Sequence, residues 1–145
     1  MSKTRPILLL SFALLILSLS ACRKNFQGFL EQGRKSFEEK NYINTVDSLN
    51  VGLLHWRESD GNENKAEVYE LLGQSYRYLR NTDKAVEAYR EAIKLSTRTF
   101  TSAYELGMIQ LAKNQIPSAT DAFQKALQMN PDDPMSLLGL GHCYY

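Results

Sequence analysis

Small and large apolar residues recur in this chain at an interval of 34 residues. Each recurrence begins with an apolar residue and a glycine, and an alanine, an aromatic residue and a second alanine follow. In chain order these are Leu72-Gly73, Ala85, Tyr89 and Ala92, then Leu106-Gly107, Ala119, Phe123 and Ala126, and lastly Leu140-Gly141. A period of this length is typical of stacked helical hairpins, in which each unit buries its apolar face against its neighbours. It predicts an all-α solenoid and favours the holding of a partner over catalysis.

Two regular units therefore occupy residues 66–99 and 100–133. In each, apolar residues at three- and four-residue spacing predict two helices, separated by a short polar break. Pro117 stands just after the second break, where the first turn of a helix tolerates a missing N–H. A more divergent copy precedes them at residues 26–59, and it aligns with the period through Gly33, Phe37, Tyr42, Thr45, Leu49 and Gly52.

The start of the chain follows a different pattern. Lys3 and Arg5 precede an apolar run at residues 7–17, and Leu19-Ser20-Ala21 stands directly before Cys22. The apolar run is short for a membrane span, and polar residues follow it at once. Residues 1–21 are therefore predicted to be a secretory signal peptide.

The Leu-Ser-Ala-Cys string resembles the lipobox of bacterial lipoproteins, and the resemblance implies that Cys22 is acylated and becomes the first residue after cleavage. Several acyl chains would anchor the protein almost permanently, at about 0.8 kcal/mol per buried methylene. We therefore expect an exported protein held by lipid in the cell envelope. In a cell with two membranes we expect the outer one, because Arg23 stands where some bacteria place an inner-membrane retention Asp. The alternative is a plain signal peptide in which Cys22 is incidental.

The repeated positions resemble the tetratricopeptide repeat, a helix-turn-helix family, over nearly all of the chain after Cys22. The resemblance implies a right-handed α-solenoid of helix-turn-helix hairpins. In that family the Leu-Gly pair lets a neighbouring helix approach closely, and Gly73, Gly107 and Gly141 fit this role. A glycine inside a helix costs about 1 kcal/mol relative to alanine, so its regular recurrence indicates close packing.

The predicted organisation is a signal peptide at 1–21, a lipidated tether at 22–25, the divergent unit at 26–59, a polar loop at 60–65, the regular units at 66–99 and 100–133, and the first helix of a further unit at 134–145. Asp133 is a candidate N-cap for that last helix, and Pro134 opens it. Its apolar character suggests either a piece of a longer array or a natural end that docks on another subunit or protein.

Composition and spacing argue against several other functions. The 17 basic and 16 acidic residues are interspersed, so no basic face for nucleic acid is expected. His142 and Cys143 are adjacent, and adjacent residues on a helix point about 100° apart, which is unsuitable for a nucleophile and its base. Asp60, Asn62 and Asn64 begin a calcium-loop pattern that lacks its required glycine and glutamate. We expect no catalytic residue, no metal, no cofactor and no small-molecule substrate; an enzyme would need a further domain beyond the given sequence.

The tetratricopeptide resemblance implies a concave surface lined by the first helix of each unit. The matching positions in this chain are Gln27, Leu30, Arg34, Phe37, Glu67, Glu70, Gln74, Arg77, Thr101, Tyr104, Met108 and Leu111. The groove candidates chosen from this surface, together with the next residue after Arg77, are Arg34, Glu70, Gln74, Arg77, Tyr78, Tyr104 and Met108. The alternative for each is simple packing between units.

Such a surface suits an amphipathic helix or an extended peptide, with Tyr104 and Met108 as adaptable anchors and Arg77 facing a carboxylate. The Lys and Asn set of the chaperone-type carboxylate clamp is not reproduced, so chaperone tails are not expected as ligands. We expect a membrane-anchored adaptor or scaffold for an envelope protein, with envelope or pilus assembly as candidate processes. The alternatives are a structural part that self-associates through residues 137–145, and the N-terminal part of a larger protein.

Overall fold

The computed structural model describes residues 25–145, so the predicted signal peptide and Cys22 lie outside the described residues. Seven α-helices are found there: α1 (Phe26–Glu38), α2 (Tyr42–Leu54), α3 (Asn62–Tyr78), α4 (Thr82–Leu95), α5 (Phe100–Ala112), α6 (Ile116–Met129) and α7 (Pro134–Tyr144). Helices α1–α2, α3–α4 and α5–α6 form hairpins, and α1, α3, α5 and α7 also contact one another in sequence. The predicted all-α solenoid is confirmed.

The turn inside each hairpin has the same geometry. One residue of each turn has a positive φ: Lys40 (58°), Arg80 (61°) and Asn114 (56°). The next backbone N–H donates to a carbonyl five residues earlier at 2.8 to 2.9 Å, in the pairs Asn41 to Ser36, Asn81 to Tyr76, and Gln115 to Gln110. These left-handed residues and back-bonds end the first helix and satisfy its last carbonyls, so they fix the angle at which the second helix returns.

Each hairpin closes on a glycine. The residue that packs against it lies sixteen positions later, in the pairs Gly33 with Leu49, Gly73 with Tyr89, and Gly107 with Phe123. A Cβ atom on Gly107 would lie 2.7 Å from the Phe123 ring, which confirms the close approach predicted for the Leu-Gly pairs. Gly33 makes the same contact, although its unit lacks most other residues of the period.

Gly141 does not have the role predicted for it. A Cβ atom there would meet no described atom within 4 Å, whereas Gly139 on the same helix lies against Phe123. The physical reason is that the other three glycines are covered by the second helix of their own unit. Gly139 instead faces the preceding hairpin, because α7 packs on α6.

The segment predicted as a polar loop at residues 60–65 is mostly helical, because α3 begins at Asn62. Its polar residues serve the start of that helix: Asn64 Nδ2 donates to the carbonyl of Asp60 at 2.7 Å. Lys65 Nζ lies 3.9 Å from the centroid of the Trp56 ring. A polar composition here therefore indicates helix-end hydrogen bonding and a cation–π contact instead of a loop.

The core consists of the inner faces of the hairpins. One buried cluster joins α1 to α4 through Phe26, Leu30, Leu49, Val68, Leu72 and Ala88. The alanine and aromatic positions of the period, including Ala85, Tyr89, Ala119 and Phe123, are fully buried. Within residues 25–145, no helix has the length and apolar character needed to cross a membrane.

Candidate functional site

Polar contacts join the first helices of successive units into one wall. Arg34 on α1 donates two hydrogen bonds to the Glu67 carboxylate on α3, from Nε at 2.6 Å and from Nη2 at 2.7 Å. A third bond, from Nη1 to Glu31, measures 3.2 Å. The predicted groove residue Arg34 therefore holds α1 and α3 in register, and the carboxylates raise its pKa above the ordinary arginine value.

The contacts between α3 and α5 are similar. Glu70 accepts a hydrogen bond of 2.9 Å from the Ser102 hydroxyl. Burial raises the pKa of the Glu70 carboxyl, and the Ser102 hydrogen bond offsets part of that increase. Arg77 Nε lies 3.4 Å from Glu105 Oε2, and the Arg77 side chain remains 42% exposed. Both predicted groove residues thus contact the neighbouring unit.

Two other predicted residues of the wall have different surroundings. Leu30 is fully buried in the core, so the prediction that it lines the surface is wrong. The reason is that its position on α1 faces α2 and α3, where the core cluster continues. Gln74 is partly exposed on α3, one turn after Glu70.

Tyr78 belongs to an aromatic cluster between the first two hairpins, which consists of Phe37, Tyr42 and Tyr78. The rings of Tyr42 and Tyr78 are stacked, with centroids 4.4 Å apart and planes 7° apart. Phe37 lies edge-on to Tyr42 at 5.7 Å and tilted to Tyr78 at 6.4 Å. The predicted groove residue Tyr78 is therefore held against the first hairpin, although half of its surface remains exposed.

An open cleft of about 450 Å³ lies between the second hairpin and α5, and we call it the α3–α5 cleft. It brings together three of the predicted groove residues, Arg77, Tyr104 and Met108. The full lining is Arg77, Thr82, Tyr104, Glu105, Met108, Ile109, Ala112 and Lys113. Burial raises the pKa of the Tyr104 phenol above its ordinary value.

Sequence reasoning missed the other lining residues of this cleft. Thr82 and Ala112 have small side chains, which leave the cleft open. Lys113 lies at its rim and pairs with Asp83 at 3.1 Å. The signal that would have found them is the comparison of equivalent positions in successive units, since Thr82 and Ala112 replace large residues of the preceding unit.

The α3–α5 cleft offers groups suited to non-covalent binding. Its side chains offer apolar area, a thioether, two cations with acidic partners, and hydroxyls. Among the described residues, no group of three or more His, Cys, Asp or Glu side chains is arranged to hold a metal ion. The Cys143 thiol is free and half-buried on α7, outside this cleft.

Known proteins resemble this chain in sequence and in fold. A family model described as Tetratricopeptide repeat matches residues 70–134 and 104–145. The Cell division cycle protein 27 homolog of Caenorhabditis elegans is 36% identical over 75 residues, which are 52% of this chain and 10% of that protein. This chain thus spans about a tenth of that relative's length.

Two solved structures are similar in fold. The crystal structure of MamA matches with a TM-score of 0.73 at 21% identity, over 88% of this chain and 71% of that one. The first tetratricopeptide domain of Spaghetti (RPAP3), solved with the HSP90 peptide SRMEEVD, matches with a TM-score of 0.69 at 15% identity, over 83% and 90% of the two chains. Because the family model spans more than half of the residues and the hairpins have the matching architecture, this chain belongs to the tetratricopeptide repeat family.

Proposed function

We propose that this chain is a non-catalytic adaptor of a bacterial cell envelope, anchored by lipid at Cys22, which binds a peptide or helix of an envelope protein. The observation that carries the binding proposal is the α3–α5 cleft, where Tyr104, Met108 and Ile109 offer contiguous, partly exposed apolar surface beside Arg77. The anchor rests on the Leu19-Ser20-Ala21-Cys22 sequence alone. In a cell with two membranes, the proposed address is the outer one.

The fold itself supports peptide binding. The RPAP3 domain of similar fold was solved with a bound HSP90 peptide, so a domain of this architecture can hold a peptide. An extended or helical ligand would lie across the first helices, where long side chains and Met108 can adapt to it.

The charge arrangement favours an apolar ligand over an acidic tail. Arg34 is paired with Glu67, Arg77 with Glu105, and Lys113 with Asp83. A carboxylate on the ligand would have to compete with these acids for the same guanidinium and ammonium groups. Apolar contact with the cleft requires no such exchange, so an amphipathic helix or apolar peptide is the better partner.

The experiment is site-specific photo-cross-linking in the native host. A benzoylphenylalanine at Met108 should cross-link to one envelope protein, whereas the same group at Gln124, exposed on α6 outside the cleft, should not. A synthetic peptide of the captured segment should bind the purified domain and suppress the cross-link. Equal cross-linking from both positions, or a captured segment that does not compete, would contradict the binding proposal.

The anchor is tested separately. Cys22→Ser should abolish metabolic labelling with a fatty-acid analogue and release the protein from the membrane fraction. Cys143→Ser is the matched control and should leave both properties unchanged. Continued labelling and membrane retention of the Cys22→Ser protein would show that the cysteine is incidental.

Self-association is a second candidate, favoured by exposed apolar side chains on α7. Leu137, Leu138 and Tyr144 are 52%, 54% and 69% exposed. If two copies pair through this face, the purified domain should be a dimer by light scattering, and Leu137→Glu with Leu138→Glu should make it monomeric. A monomer at every concentration tested would exclude this function.

A further inference from the structure

The two joints between the first three hairpins are built from equivalent positions but filled differently. In the aligned units, Phe37 corresponds to Arg77, Tyr42 to Thr82, and Tyr78 to Ala112. The first set forms the aromatic cluster, and the second set lines the α3–α5 cleft. The cleft therefore occupies, in the second joint, the position that the stacked rings of Tyr42 and Tyr78 occupy in the first. Thr82 and Ala112 stand there in place of the two rings.

The first joint shows what such a space accepts. Tyr78 from α3 lies flat against Tyr42 at the start of α2, and Phe37 at the end of α1 meets both rings. The guanidinium carbon of Arg77 lies 4.9 Å from the Tyr78 ring centroid, which is a cation–π distance. An aromatic side chain is thus accommodated between the ends of two hairpins, with one face on a ring and a cation nearby.

We propose that the α3–α5 cleft binds one aromatic side chain of the partner segment, at the place that corresponds to Tyr78 in the first joint. This inference rests on the proposed adaptor function and adds the chemistry of the anchor residue. The occupant is a Tyr, Phe or Trp on a peptide or helix of another protein. The small side chain of Ala112 leaves space for the ring. The small side chain of Thr82 leaves uncovered the surface against which the ring would lie.

The lining suits a ring better than an aliphatic chain. Met108 is 40% exposed and lines the cleft, and methionine sulfur contacts the edges of aromatic rings favourably. The Arg77 guanidinium borders both joints and can lie over a ring in the cleft as it does over Tyr78. A cavity of about 150 Å³ is enough to hold benzene, so about 450 Å³ admits the largest aromatic side chain.

The test uses N-acetyl-L-tyrosinamide as the probe and the purified domain, residues 25–145 with the intact cysteine, observed by NMR. The probe should shift the methyl signals of Met108, Ile109 and Ala112 in a saturable way with millimolar affinity. N-acetyl-L-leucinamide, the control probe, should bind roughly tenfold more weakly, which corresponds to about 1.4 kcal/mol. Equal binding of both probes, or no saturable shift, would overturn the inference.

Two variants exchange the character of the joints. Thr82→Tyr combined with Ala112→Tyr copies the Tyr42–Tyr78 stack into the cleft and should reduce tyrosinamide binding at least tenfold. Tyr78→Ala should open the first joint and create a second binding site, reported by Gln74 and Leu79 signals. Unchanged signals of the buried Phe123 ring would show that each variant is folded. Undiminished binding to the doubly substituted domain would overturn the inference.

The outcomes separate this inference from the adaptor function. A segment captured from Met108 that competes but contains no aromatic residue would overturn the inference and leave the adaptor function standing. Tyrosinamide binding without a specific cross-linked partner would contradict the adaptor function, and with it the partner's side chain as the occupant, although the cleft would still accept an aromatic ring. A dimer that Tyr144→Ala abolishes, together with loss of the cleft shifts at high protein concentration, would replace the partner's ring with that of a second copy.

Discussion

Tyr89 packs so closely against Gly73 that a Cβ atom on the glycine would lie 2.6 Å from two carbons of the ring. The ring is fully buried, so it has little room to move away. The contact joins α3 to α4 and recurs in the other two hairpins between residues of the same separation. The close approach of the two helices in each unit therefore depends on the absence of one methyl group.

Gly73→Ala should destabilise the domain by about 1–3 kcal/mol, because overpacking of the joint outweighs the better helix propensity of alanine. Thermal unfolding followed by circular dichroism measures the change. Gly141→Ala is the matched control, since a Cβ there meets open space and α7 should gain up to about 1 kcal/mol of helix propensity. Equal effects of the two substitutions would contradict the packing account.

The hairpin interior was predictable from the sequence because its contacts join residues at fixed separations. Gly107 and Phe123 occupy the same two places as Gly73 and Tyr89, so the 34-residue period predicts that a contact made by one pair recurs in the other. The period also aligned the divergent unit, where Leu49 takes the place of the ring. The prediction from the period was wrong at Gly141, because a glycine at this position makes no such contact where no second helix covers it.

The surface formed by the first helices was less predictable. The 34-residue period predicts which positions lie on this surface. It does not predict whether the Arg34 side chain is free to contact a ligand or pairs with Glu67 of the next unit, as the structure shows. The sequence pattern predicts that both charged residues are exposed. Only the distance between their side chains, which the structure gives, distinguishes a ligand contact from an ion pair between units. The α3–α5 cleft was missed for another reason, since it arises from small residues at Thr82 and Ala112.

The pairing of Arg34 with Glu67 should be measurable as a coupling energy. Both side chains are 39% exposed, so solvent screening limits the bidentate pair to about 0.5–1 kcal/mol. A double-mutant cycle of Arg34→Ala and Glu67→Ala, followed by urea unfolding, measures this quantity. The cycle of Lys113→Ala with Asp83→Ala should give almost no coupling, because the Asp83 side chain is 89% exposed. A larger coupling for the second pair would contradict the assignment of Arg34 to the α1–α3 joint.

Tyr89→Phe should leave stability at pH 7 unchanged or raise it by up to about 1 kcal/mol. The Tyr89 hydroxyl is buried and makes no hydrogen bond of good geometry among the described residues, although the Arg77 side chain interacts with it. Its removal therefore ends a poorly compensated desolvation. Phe123 fills the equivalent place in the next hairpin and shows that a phenyl ring fits. Urea unfolding at pH 7 measures the difference, and a loss above about 1 kcal/mol would indicate a hydrogen bond to the hydroxyl.

The same pair of proteins should diverge at alkaline pH. Burial, assisted by Glu105, raises the pKa of Tyr89 above its ordinary value of 10.0, and Arg77 offsets only part of the increase. Above pH 10 the unfolded chain releases this proton while the folded chain keeps it, so the free energy of unfolding falls as pH rises. The wild type should therefore lose stability faster than Tyr89→Phe between pH 9 and pH 11. Parallel pH profiles would contradict the buried phenol.

Glu70→Gln should stabilise the domain at pH 7 and lose that advantage in acid. Burial raises the pKa of Glu70 above its ordinary value of 4.5, so the folded state binds the proton more tightly than the unfolded state. The wild-type free energy of unfolding then falls as pH rises through that window, whereas glutamine does not titrate. The amide oxygen can still accept from Ser102, which keeps the α3–α5 contact intact.

Melting temperatures from pH 3.5 to pH 8 measure the difference between the two proteins. The Glu70→Gln protein should melt a few degrees higher at pH 7, and the two curves should converge near pH 4. Ser102→Ala in the wild-type background provides the opposite test, because it removes the hydrogen bond that favours the charged carboxylate and should lower stability more at pH 7 than at pH 4. If both variants instead shift stability equally at all pH values, Glu70 is solvated, and the wall between α3 and α5 is open at this point to a ligand's own hydrogen-bond donors.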